Sequence, residues 1–343
     1  MPFDPKKYTV KAAKPIAVEE QLCRLRYSPD GKRLVAGTFE GTVRRWDAGP
    51  LTPLPSLRGH NGWVTQVAFD PTCRLFSTDS WGKLCCWAGE QKAWEQLSAH
   101  DGWVRALVVS PDGKTVATAG RDHHLRLWAA ADGKPTVSID CSEDVFALAF
   151  HPDGRSIVSG DAKGVVRQWD VKTARAVREF DARKLHFKDR IQDVGGVRCL
   201  AFNADGTVLL AGGGQPKTGG FVTGVLALLG FDWATGKLTT SYIGTNDTEG
   251  YVLDLAWHAD DFAMAVSSGQ PGQGKLFFHR PEDAQPFFTS PLPNAHSLAV
   301  HPTGRRLVVS ATNANSAGNG RQFGKGKEYP GNFSPLHVFE FAG

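Results

Sequence analysis

The sequence has few cysteines and no long run of apolar residues. Its six cysteines lack the C-x-x-C spacing of redox and zinc motifs, and Cys85 and Cys86 are expected on opposite faces of one strand. We therefore expect small buried thiols in a reducing compartment, without disulfides. The most apolar stretch, Val222–Phe231, has about half of the ~20 residues that cross a bilayer. It predicts a buried strand.

Charge of one sign is not concentrated anywhere in the chain. The 39 Lys and Arg residues against 35 Asp and Glu give a net charge of +4, with the two signs interspersed. This pattern does not favour nucleic acid as a partner. Residues 1–20 contain no apolar core of a signal peptide. We therefore expect a cytoplasmic protein that binds no membrane.

Turn residues, in contrast, are abundant and periodic. The 38 Gly and 20 Pro residues punctuate the chain, which disfavours helical bundles. Pro, Asp and Gly after a short apolar strand predict a tight hairpin turn. Seven segments have this pattern or a variant of it: Leu25–Gly31, Val67–Cys73, Leu107–Gly113, Leu148–Gly154, Leu200–Gly206, Leu255–Asp261 and Leu298–Gly304. A tryptophan closes the third strand in the first four units, at 41-residue intervals: Trp46, Trp87, Trp128 and Trp169.

This repeat resembles the WD40 family. The resemblance is carried by the period of about 40 residues, by Gly59-His60 before a first strand, and by Trp46-Asp47 and Trp169-Asp170 at the ends of third strands. It implies an all-β, seven-bladed β-propeller with four antiparallel strands per blade over residues 1–343. The closing strand lies within residues 1–18, and the units lie near residues 19–58, 59–98, 99–139, 140–185, 186–245, 246–290 and 291–343.

The resemblance also implies a hydrogen-bonded tetrad of His, Ser or Thr, Asp and Trp inside a blade. Only the third unit has all four family positions filled, by His100, Thr118, Asp122 and Trp128. The second unit has Trp81 at the Asp position, and the fourth has Lys163. Units five to seven replace the closing tryptophan, so apolar packing is expected to hold them; the replacements are Phe231, His279 and Phe339.

Ring closure follows from the strand count of the last unit. After Gly304 there is room for a second strand at Arg306–Ala311 and a third at Leu336–Phe341, but not for a fourth. Tyr8–Val18 has strand-forming residues and belongs to no unit. We predict that this segment pairs with the third strand of the last unit and removes two exposed sheet edges.

Four insertions interrupt the period. We expect them on the top face of the disc, where the connections between blades and between second and third strands emerge. They cover roughly Asp181–Gly196, Gly212–Gly224, Gln270–Gly274 and Asn313–Pro335. Such loops are either functional or tolerated surface insertions, and the sequence leaves both alternatives open. Their basic and aromatic residues resemble an interface in composition, and the candidates are Lys184, Lys188, Arg190, Arg321, Phe323, Lys325 and Tyr329.

A second candidate surface lies where the first strand of each blade begins. Aligned units place seven residues at one position that is predicted to face the axial channel: Cys23, Thr65, Arg105, Phe146, Arg198, Leu253 and His296. Arg105 and Arg198 are candidate binding residues among them. Two positions earlier, Trp63, Trp103 and Tyr251 are candidate anchors. Burial between blades is the alternative for each tryptophan.

These features predict a non-catalytic, monomeric interaction scaffold that binds a protein or peptide on its top face. The sequence contains no H-E-x-x-H motif, no carboxylate-histidine cluster and no assignable Ser-His-Asp set. We therefore expect no catalytic residues, no metal and no cofactor. One alternative is an enzyme with a metal or ligand in the axial channel. Another is salt-dependent binding of nucleic acid through the basic loops.

Overall fold

The computed structural model of the chain describes residues 8–189, 192–216, 224–313 and 332–342. Seven four-stranded antiparallel sheets form the blades of a propeller. The prediction of an all-β, seven-bladed propeller is confirmed. One short 3-10 helix, Arg183–Leu185, is the helical element of the described residues. Across those residues, no helix has the length and apolarity needed to span a membrane.

Each of the first four blades uses four consecutive strands, in sheet order. Blade 1 contains β2 (Leu22–Tyr27), β3 (Arg33–Thr38), β4 (Thr42–Asp47) and β5 (Pro53–Arg58). Blade 2 contains β6 (Val64–Phe69), β7 (Leu75–Asp79), β8 (Leu84–Ala88) and β9 (Gln91–Gln96). Blade 3 contains β10 (Val104–Val109), β11 (Thr115–Gly120), β12 (His124–Ala129) and β13 (Pro135–Asp140). Blade 4 contains β14 (Val145–Phe150), β15 (Ser156–Asp161), β16 (Val165–Asp170) and β17 (Ala176–Asp181).

The remaining blades follow a small extra hairpin of β18 (His186–Asp189) and β19 (Gln192–Gly195). Blade 5 contains β20 (Cys199–Phe202), β21 (Val208–Pro216), β22 (Gly224–Asp232) and β23 (Leu238–Ile243). Blade 6 contains β24 (Tyr251–Trp257), β25 (Ala263–Ser268), β26 (Gly274–His279) and β27 (Phe288–Pro291). Blade 7 contains β28 (Ala295–Val300), β29 (Arg306–Ala311) and β30 (Leu336–Ala342), with β1 (Thr9–Ala12) as its fourth strand.

Two of the four insertions differ from the loops that the sequence predicts. Residues 181–196 contain the 3-10 helix and the β18–β19 hairpin. Residues 212–216 and 224 prolong β21 and β22, which remain paired as far as Pro216 and Gly224. A longer ladder satisfies the backbone N–H and C=O groups that an irregular loop leaves to water.

Ring closure occurs as predicted. β1 pairs antiparallel with β30, with Lys11 opposite Glu340 and Ala12 opposite Phe339. Ala13 extends the ladder by donating its N–H to Val338 O at 2.9 Å. Tyr8 packs edge-on against Phe262 of blade 6, with ring centroids 4.9 Å apart. The N-terminal segment therefore joins the last blade and also contacts the blade before it.

The apolar core lies between neighbouring blades. One buried cluster joins Val35 and Val43 of blade 1 to Val67 and Cys85 of blade 2. The next cluster joins blade 2 to blade 3 and contains Cys86. Cys85 and Cys86 thus face opposite sides of β8, as predicted from their adjacency. All six cysteines are free thiols.

The turns between first and second strands need a left-handed backbone at one position. Gly31, Cys73, Gly113, Gly154, Gly206, Asp261 and Gly304 occupy this position with φ between +61° and +75°. Glycine adopts such angles without the steric cost that a Cβ imposes. The recurring glycine of the sequence repeat therefore has a direct conformational cause.

On the bottom face, histidines at these turns link neighbouring blades. Nε2 donates to the carbonyl of the next turn's glycine in three pairs: His151 to Gly206, His258 to Gly304 and His301 to Gly31, at 3.1, 3.0 and 3.1 Å. In each histidine, Nδ1 accepts a backbone N–H from two residues ahead. Nδ1 of His151 also lies 2.9 Å from the Asp153 carboxylate. The three histidines are structural links distributed around the rim.

Candidate functional site at the top of the axial channel

The innermost strands of the blades surround an axial channel, and its top end widens into a cavity of about 590 Å³. One residue near the start of each first strand lines this cavity: Cys23, Thr65, Arg105, Phe146, Arg198, Leu253 and His296. In six of the seven blades this residue lies where the register between the first and second strands shifts, as at a β-bulge, so the same local irregularity recurs around the channel. The predicted orientation of these seven residues is confirmed.

An ion-paired cluster lies deeper in the channel. Asp254 is 2% exposed, and its carboxylate lies 2.6 Å from Nη1 of Arg24 and 3.2 Å from Nη1 of Arg26. It also accepts hydrogen bonds from the Ser297 hydroxyl and the Leu298 N–H. Burial alone would raise the pKa of Asp254, but the two guanidinium groups and these donors lower it to about 2. The cluster joins blade 6 to blade 1 although blade 7 lies between them.

Two other arginines of the cavity are stacked rather than ion-paired at close range. The guanidinium carbons of Arg105 and Arg198 lie 4.8 and 4.3 Å from the centroid of the Phe146 ring. Among the described residues, the Arg198 side chain has no hydrogen bond or ion pair, and it also lies 5.7 Å from the Tyr251 centroid. Arg105 has a long ion pair of 3.9 Å to Asp144, and its buried Nε has no hydrogen-bond partner there.

The protonation of Arg198 follows from its surroundings. Burial lowers the pKa of Arg198 to about 10, with the guanidinium of Arg105 acting in the same direction. Burial also lowers the pKa of Arg105. A pKa of about 10 still leaves Arg198 protonated at neutral pH. The cavity therefore presents two cations whose charge is not neutralised by a close carboxylate among the residues described.

An aromatic groove lies beside the cavity on blades 1 to 3. It has a volume of about 400 Å³ and is lined by Phe39, Trp63, Trp81 and Trp103. Trp63 packs between its neighbours, tilted against Phe39 and edge-on to Trp103, with ring centroids 4.4 and 5.2 Å away. The three tryptophans are 41%, 69% and 37% exposed in chain order. The groove is open to solvent, and Glu40, Asn61 and Ser80 add polar groups to its aromatic lining.

Short backbone bonds hold these aromatic residues in place. Trp63 O accepts the Ser80 N–H at 2.9 Å, and the Trp63 N–H donates to the Ser80 hydroxyl at 3.1 Å. Trp103 O accepts the Arg121 N–H at 3.0 Å. Each tryptophan is thereby tied to the hairpin between the second and third strands of its own blade. A rigid aromatic surface loses little conformational entropy when a ligand binds.

The predicted binding residues fall into three groups in the structure. Trp63 and Trp103 are exposed in the groove, whereas Tyr251 is 8% exposed and packs beneath Arg198. Lys184 and Lys188 are exposed in the first insertion, which the fully buried Leu185 anchors to the core between blades 4 and 5. Arg190, Arg321, Phe323, Lys325 and Tyr329 lie outside the described residues.

Sequence reasoning missed Phe39 and Trp81 as part of this surface. Both lie in the top-face hairpin that follows a second strand. Such a hairpin has no neighbouring layer that could bury an aromatic ring, and this context is a usable signal for an exposed, functional side chain. The sequence pattern instead places Trp81 at the acid position of the tetrad.

The tetrad of blade 3 is present as a chain of hydrogen bonds. Trp128 Nε1 donates to the Thr118 hydroxyl at 2.8 Å, and that hydroxyl lies 2.7 Å from His100 Nε2. His100 Nδ1 donates to Asp122 at 2.8 Å. Burial lowers the pKa of His100. Burial alone would raise the pKa of Asp122, but the hydrogen bond and the charge of His100 lower the pKa of Asp122 overall. The network pins the blade-to-blade connection that leads to Trp103.

Blade 2 contains an equivalent network, which corrects the expectation of a single complete tetrad. His60 lies 2.6 Å from the Ser77 hydroxyl and 3.0 Å from the Asp79 carboxylate, and Trp87 donates to Ser77 at 2.8 Å. Asp79 comes two residues before Trp81, which occupies the expected acid position. The Asp79 carboxylate at the end of the second strand of blade 2 contacts His60 as the Asp122 carboxylate in the hairpin of blade 3 contacts His100. Trp81 is thereby free to point outward.

The described residues contain no group of three or more His, Cys, Asp or Glu side chains that could hold a metal ion. The cavity and the groove are lined by guanidinium, amide, hydroxyl, carboxylate and aromatic groups. Such groups bind other molecules through charge, hydrogen bonds and stacking.

Seven blades, a side-chain-lined channel and a top-face cavity define the chain as a seven-bladed β-propeller. The family model described as "WD domain, G-beta repeat" matches residues 18–47, 51–88, 92–129 and 133–170. Together these matches extend from β2 of blade 1 to β16 of blade 4, and each of the last three begins near the start of the outer strand of the preceding blade. The chain therefore contains four WD40 repeats within a seven-bladed propeller.

Several known proteins are similar to parts of the chain. Small ribosomal subunit protein RACK1y of Oryza sativa subsp. japonica is 28% identical over 166 residues, covering 45% of this chain and 46% of the relative. Telomerase protein component 1 of Mus musculus is 25% identical over 292 residues, covering 82% of this chain and 10% of that protein. The p21-activated protein kinase-interacting protein 1-like of Gallus gallus is 28% identical over 133 residues, covering 38% and 36%. The chain matches less than half the length of each of these relatives.

Proposed function

We propose that this protein is a non-catalytic scaffold that binds a protein or peptide partner on its top face. The observation that carries the proposal is the aromatic groove, whose three tryptophans are exposed although their backbones are fixed. Large exposed aromatic residues that form one surface are typical of interaction hot spots. A scaffold role also agrees with the name of the Gallus gallus relative, which describes it as a kinase-interacting protein.

Trp63 and Trp103 are the central anchors in this proposal, with Trp81 at the outer end of the groove. Tyr251 contributes indirectly, because its ring supports Arg198 at the cavity wall. Lys184 and Lys188 extend the binding surface through the first insertion. Arg190, Arg321, Phe323, Lys325 and Tyr329 remain proposed contact residues from the sequence alone.

The first prediction tests the groove with peptides selected on the protein itself. Twelve-residue random peptides displayed on phage are selected on the immobilised wild-type protein, and the enriched peptides are synthesised. Trp63→Ala and Trp103→Ala should each weaken their binding at least about tenfold, since a hot-spot truncation costs about 2 kcal/mol or more. Fluorescence anisotropy measures the dissociation constants.

Val177→Ala is the matched control, because Val177 is a 56% exposed apolar residue on the outer strand of blade 4. It should leave peptide affinity unchanged. If the selected peptides bind Val177→Ala more weakly but bind both tryptophan variants as tightly as wild type, the binding surface does not include the groove. Deletion of residues 318–327 tests the last insertion in the same assay, where we expect weaker binding with an unchanged melting temperature.

A further inference from the structure

We propose that Arg105, Phe146 and Arg198 form a subsite for an acidic group, a carboxylate or a phosphate, carried by the peptide that occupies the aromatic groove. This inference rests on the proposed function and deepens it by naming the chemistry of the ligand. It is carried by two cations that have no close carboxylate, are held by a shared ring, and adjoin the groove.

The cations of the channel are paired unequally. Arg24 and Arg26 share the Asp254 carboxylate at 2.6 and 3.2 Å, and Arg24 Nε also donates to Gln66 at 3.1 Å. Arg105 and Arg198 lie on the same cavity wall but lack such partners in the described part of the chain. Both guanidinium groups are partly buried, and Arg105 has only the 3.9 Å ion pair to Asp144. Partial removal of a cation from water without a close anion costs free energy, so its presence at an open cavity favours a role with an external anion.

The Phe146 ring holds the two guanidinium groups in position. Each lies within 4.8 Å of the ring centroid, in the range of a cation–π contact. Stacking on a ring leaves the N–H edges of a guanidinium available, and those edges bind carboxylate and phosphate oxygens in bidentate fashion. The side chains are therefore oriented before any ligand arrives.

The charge of the cavity wall is of one sign. Its lining residues in the described part of the chain include Arg24, Arg105 and Arg198 but no aspartate or glutamate. A cavity of about 590 Å³ is in the size range that accommodates a small ligand group with several polar contacts. An acidic side chain entering from the top face would thus meet a lining with more cations than anions; nearby carboxylates include Asp144, 3.9 Å from Arg105, and Glu40 of the adjoining groove.

The cavity and the groove are one continuous surface. Phe39 and Trp103 line both of them. A single extended peptide can therefore place an apolar side chain against Trp63 and an acidic side chain at Arg105 and Arg198. This juxtaposition predicts that the protein selects peptides in which an acidic residue lies close to an apolar residue.

The test uses four mixtures of nine-residue peptides, each randomised except for a central glutamate, phosphoserine, glutamine or serine. The mixtures carry a fluorescent label, and their retention on immobilised full-length protein is measured. We expect the glutamate mixture to exceed the glutamine mixture, or the phosphoserine mixture to exceed the serine mixture, by about tenfold, because a guanidinium binds a charged acceptor more strongly than a neutral one. The pair that shows the larger ratio identifies the acid as carboxylate or phosphate.

Arg105→Gln and Arg198→Gln should each reduce this ratio to near one. Arg121→Gln is the matched control, since Arg121 is an exposed arginine of the top face that does not line the cavity. Acid selectivity that survives in both cavity variants, or that falls equally in Arg121→Gln, would overturn the subsite. Equal retention of all four mixtures by the wild-type protein would overturn it as well.

Trp63→Ala separates this inference from the proposed function, because Trp63 lines the groove and not the cavity. If it lowers retention of acidic and neutral mixtures alike while no acid preference exists, the scaffold proposal stands and the acidic subsite fails. If acid selectivity depends on Arg198 but retention is indifferent to Trp63, the subsite stands and the groove fails. Arg198→Met should not lower the melting temperature, because it removes a partly buried cation that has no ion pair among the described residues. A folded Arg198→Met variant that keeps acid selectivity would contradict the inference.

Discussion

At the scale of single residues, the position of one carboxylate separates a structural role from a surface role. Asp79 is fully buried, and its two oxygens accept hydrogen bonds from His60 and from the backbone N–H groups of Asn61, Trp81 and Lys83. Burial would raise the pKa of Asp79, but these donors lower it. Because Asp79 performs this task, Trp81 is released into the groove.

The corresponding prediction compares these two residues. Asp79→Ala should lower the free energy of unfolding by about 3 kcal/mol or more, since several buried donors lose their acceptor at once. Trp81→Ala should change it by less than about 0.5 kcal/mol, as for other exposed surface positions. Urea unfolding measures both. A larger loss of stability for Trp81→Ala than for Asp79→Ala would show that Trp81 is the structural member.

At the scale of elements, the short strand β1 decides whether the ring is closed. Antiparallel pairs alternate between residues that face the partner strand and residues that face away. Ala13 donates its N–H to Val338 of β30, so the N–H of Lys11, two residues earlier, also faces β30. The N–H of Ala12 points away from the sheet. Both residues are exposed, which makes them a matched pair.

Proline substitution tests this alternation. Lys11→Pro should lower the free energy of unfolding by about 1–3 kcal/mol, because it removes a donor and leaves a strand carbonyl unsatisfied. Ala12→Pro should be tolerated far better, as proline is on the free side of an edge strand. Deletion of residues 1–18 should be more harmful than either. Equal melting temperatures for the truncated and full-length proteins would refute closure by β1.

At the scale of the whole molecule, the channel cluster joins blades that do not pack side by side. Asp254 of β24 is ion-paired to Arg24 and Arg26 of β2, so the first strands of blades 6 and 1 are coupled across the channel. Removing one partner of a buried ion pair leaves uncompensated charge, at a cost of about 3–5 kcal/mol. The cluster also makes the ring sensitive to acid.

Asp254→Asn should therefore lower the free energy of unfolding by about 3–5 kcal/mol at pH 7. The folded-state pKa of Asp254 is about 2, below its ordinary value, so the stabilisation from the charged form is present above about pH 4. It is lost as the pH falls towards 2. The difference between wild type and variant should shrink over that interval in urea titrations at pH 7, 4 and 2.5.

Glu179→Gln provides the matched control for this prediction, because Glu179 is a 48% exposed carboxylate that pairs with Arg167 at 2.6 Å. A surface pair contributes about 0–1 kcal/mol, so the variant should remain close to wild type at neutral pH. A pH-independent difference between Asp254→Asn and wild type would contradict the assigned ionisation of Asp254.

The sequence alone predicted the architecture because its signals are local and repeated. A turn that needs a left-handed residue recurs seven times, and the first four units keep a period near 41 residues, so each repetition constrains the next. The same repetition located the seven residues that line the cavity, since equivalent positions of the repeat recur at the same place in each blade. The closing role of β1 followed from counting strands.

Tertiary structure alone decided which of these residues are available for binding. Trp63 and Tyr251 align at one position of the repeat, but Trp63 is 41% exposed and Tyr251 is 8% exposed, because the surrounding hairpins differ between blades. The pairing of Arg24 and Arg26 with Asp254, which leaves Arg105 and Arg198 without close carboxylates, joins residues more than 200 positions apart. Sequence repeats determine what each blade resembles, whereas charge pairing and exposure depend on which blades the closed ring brings together.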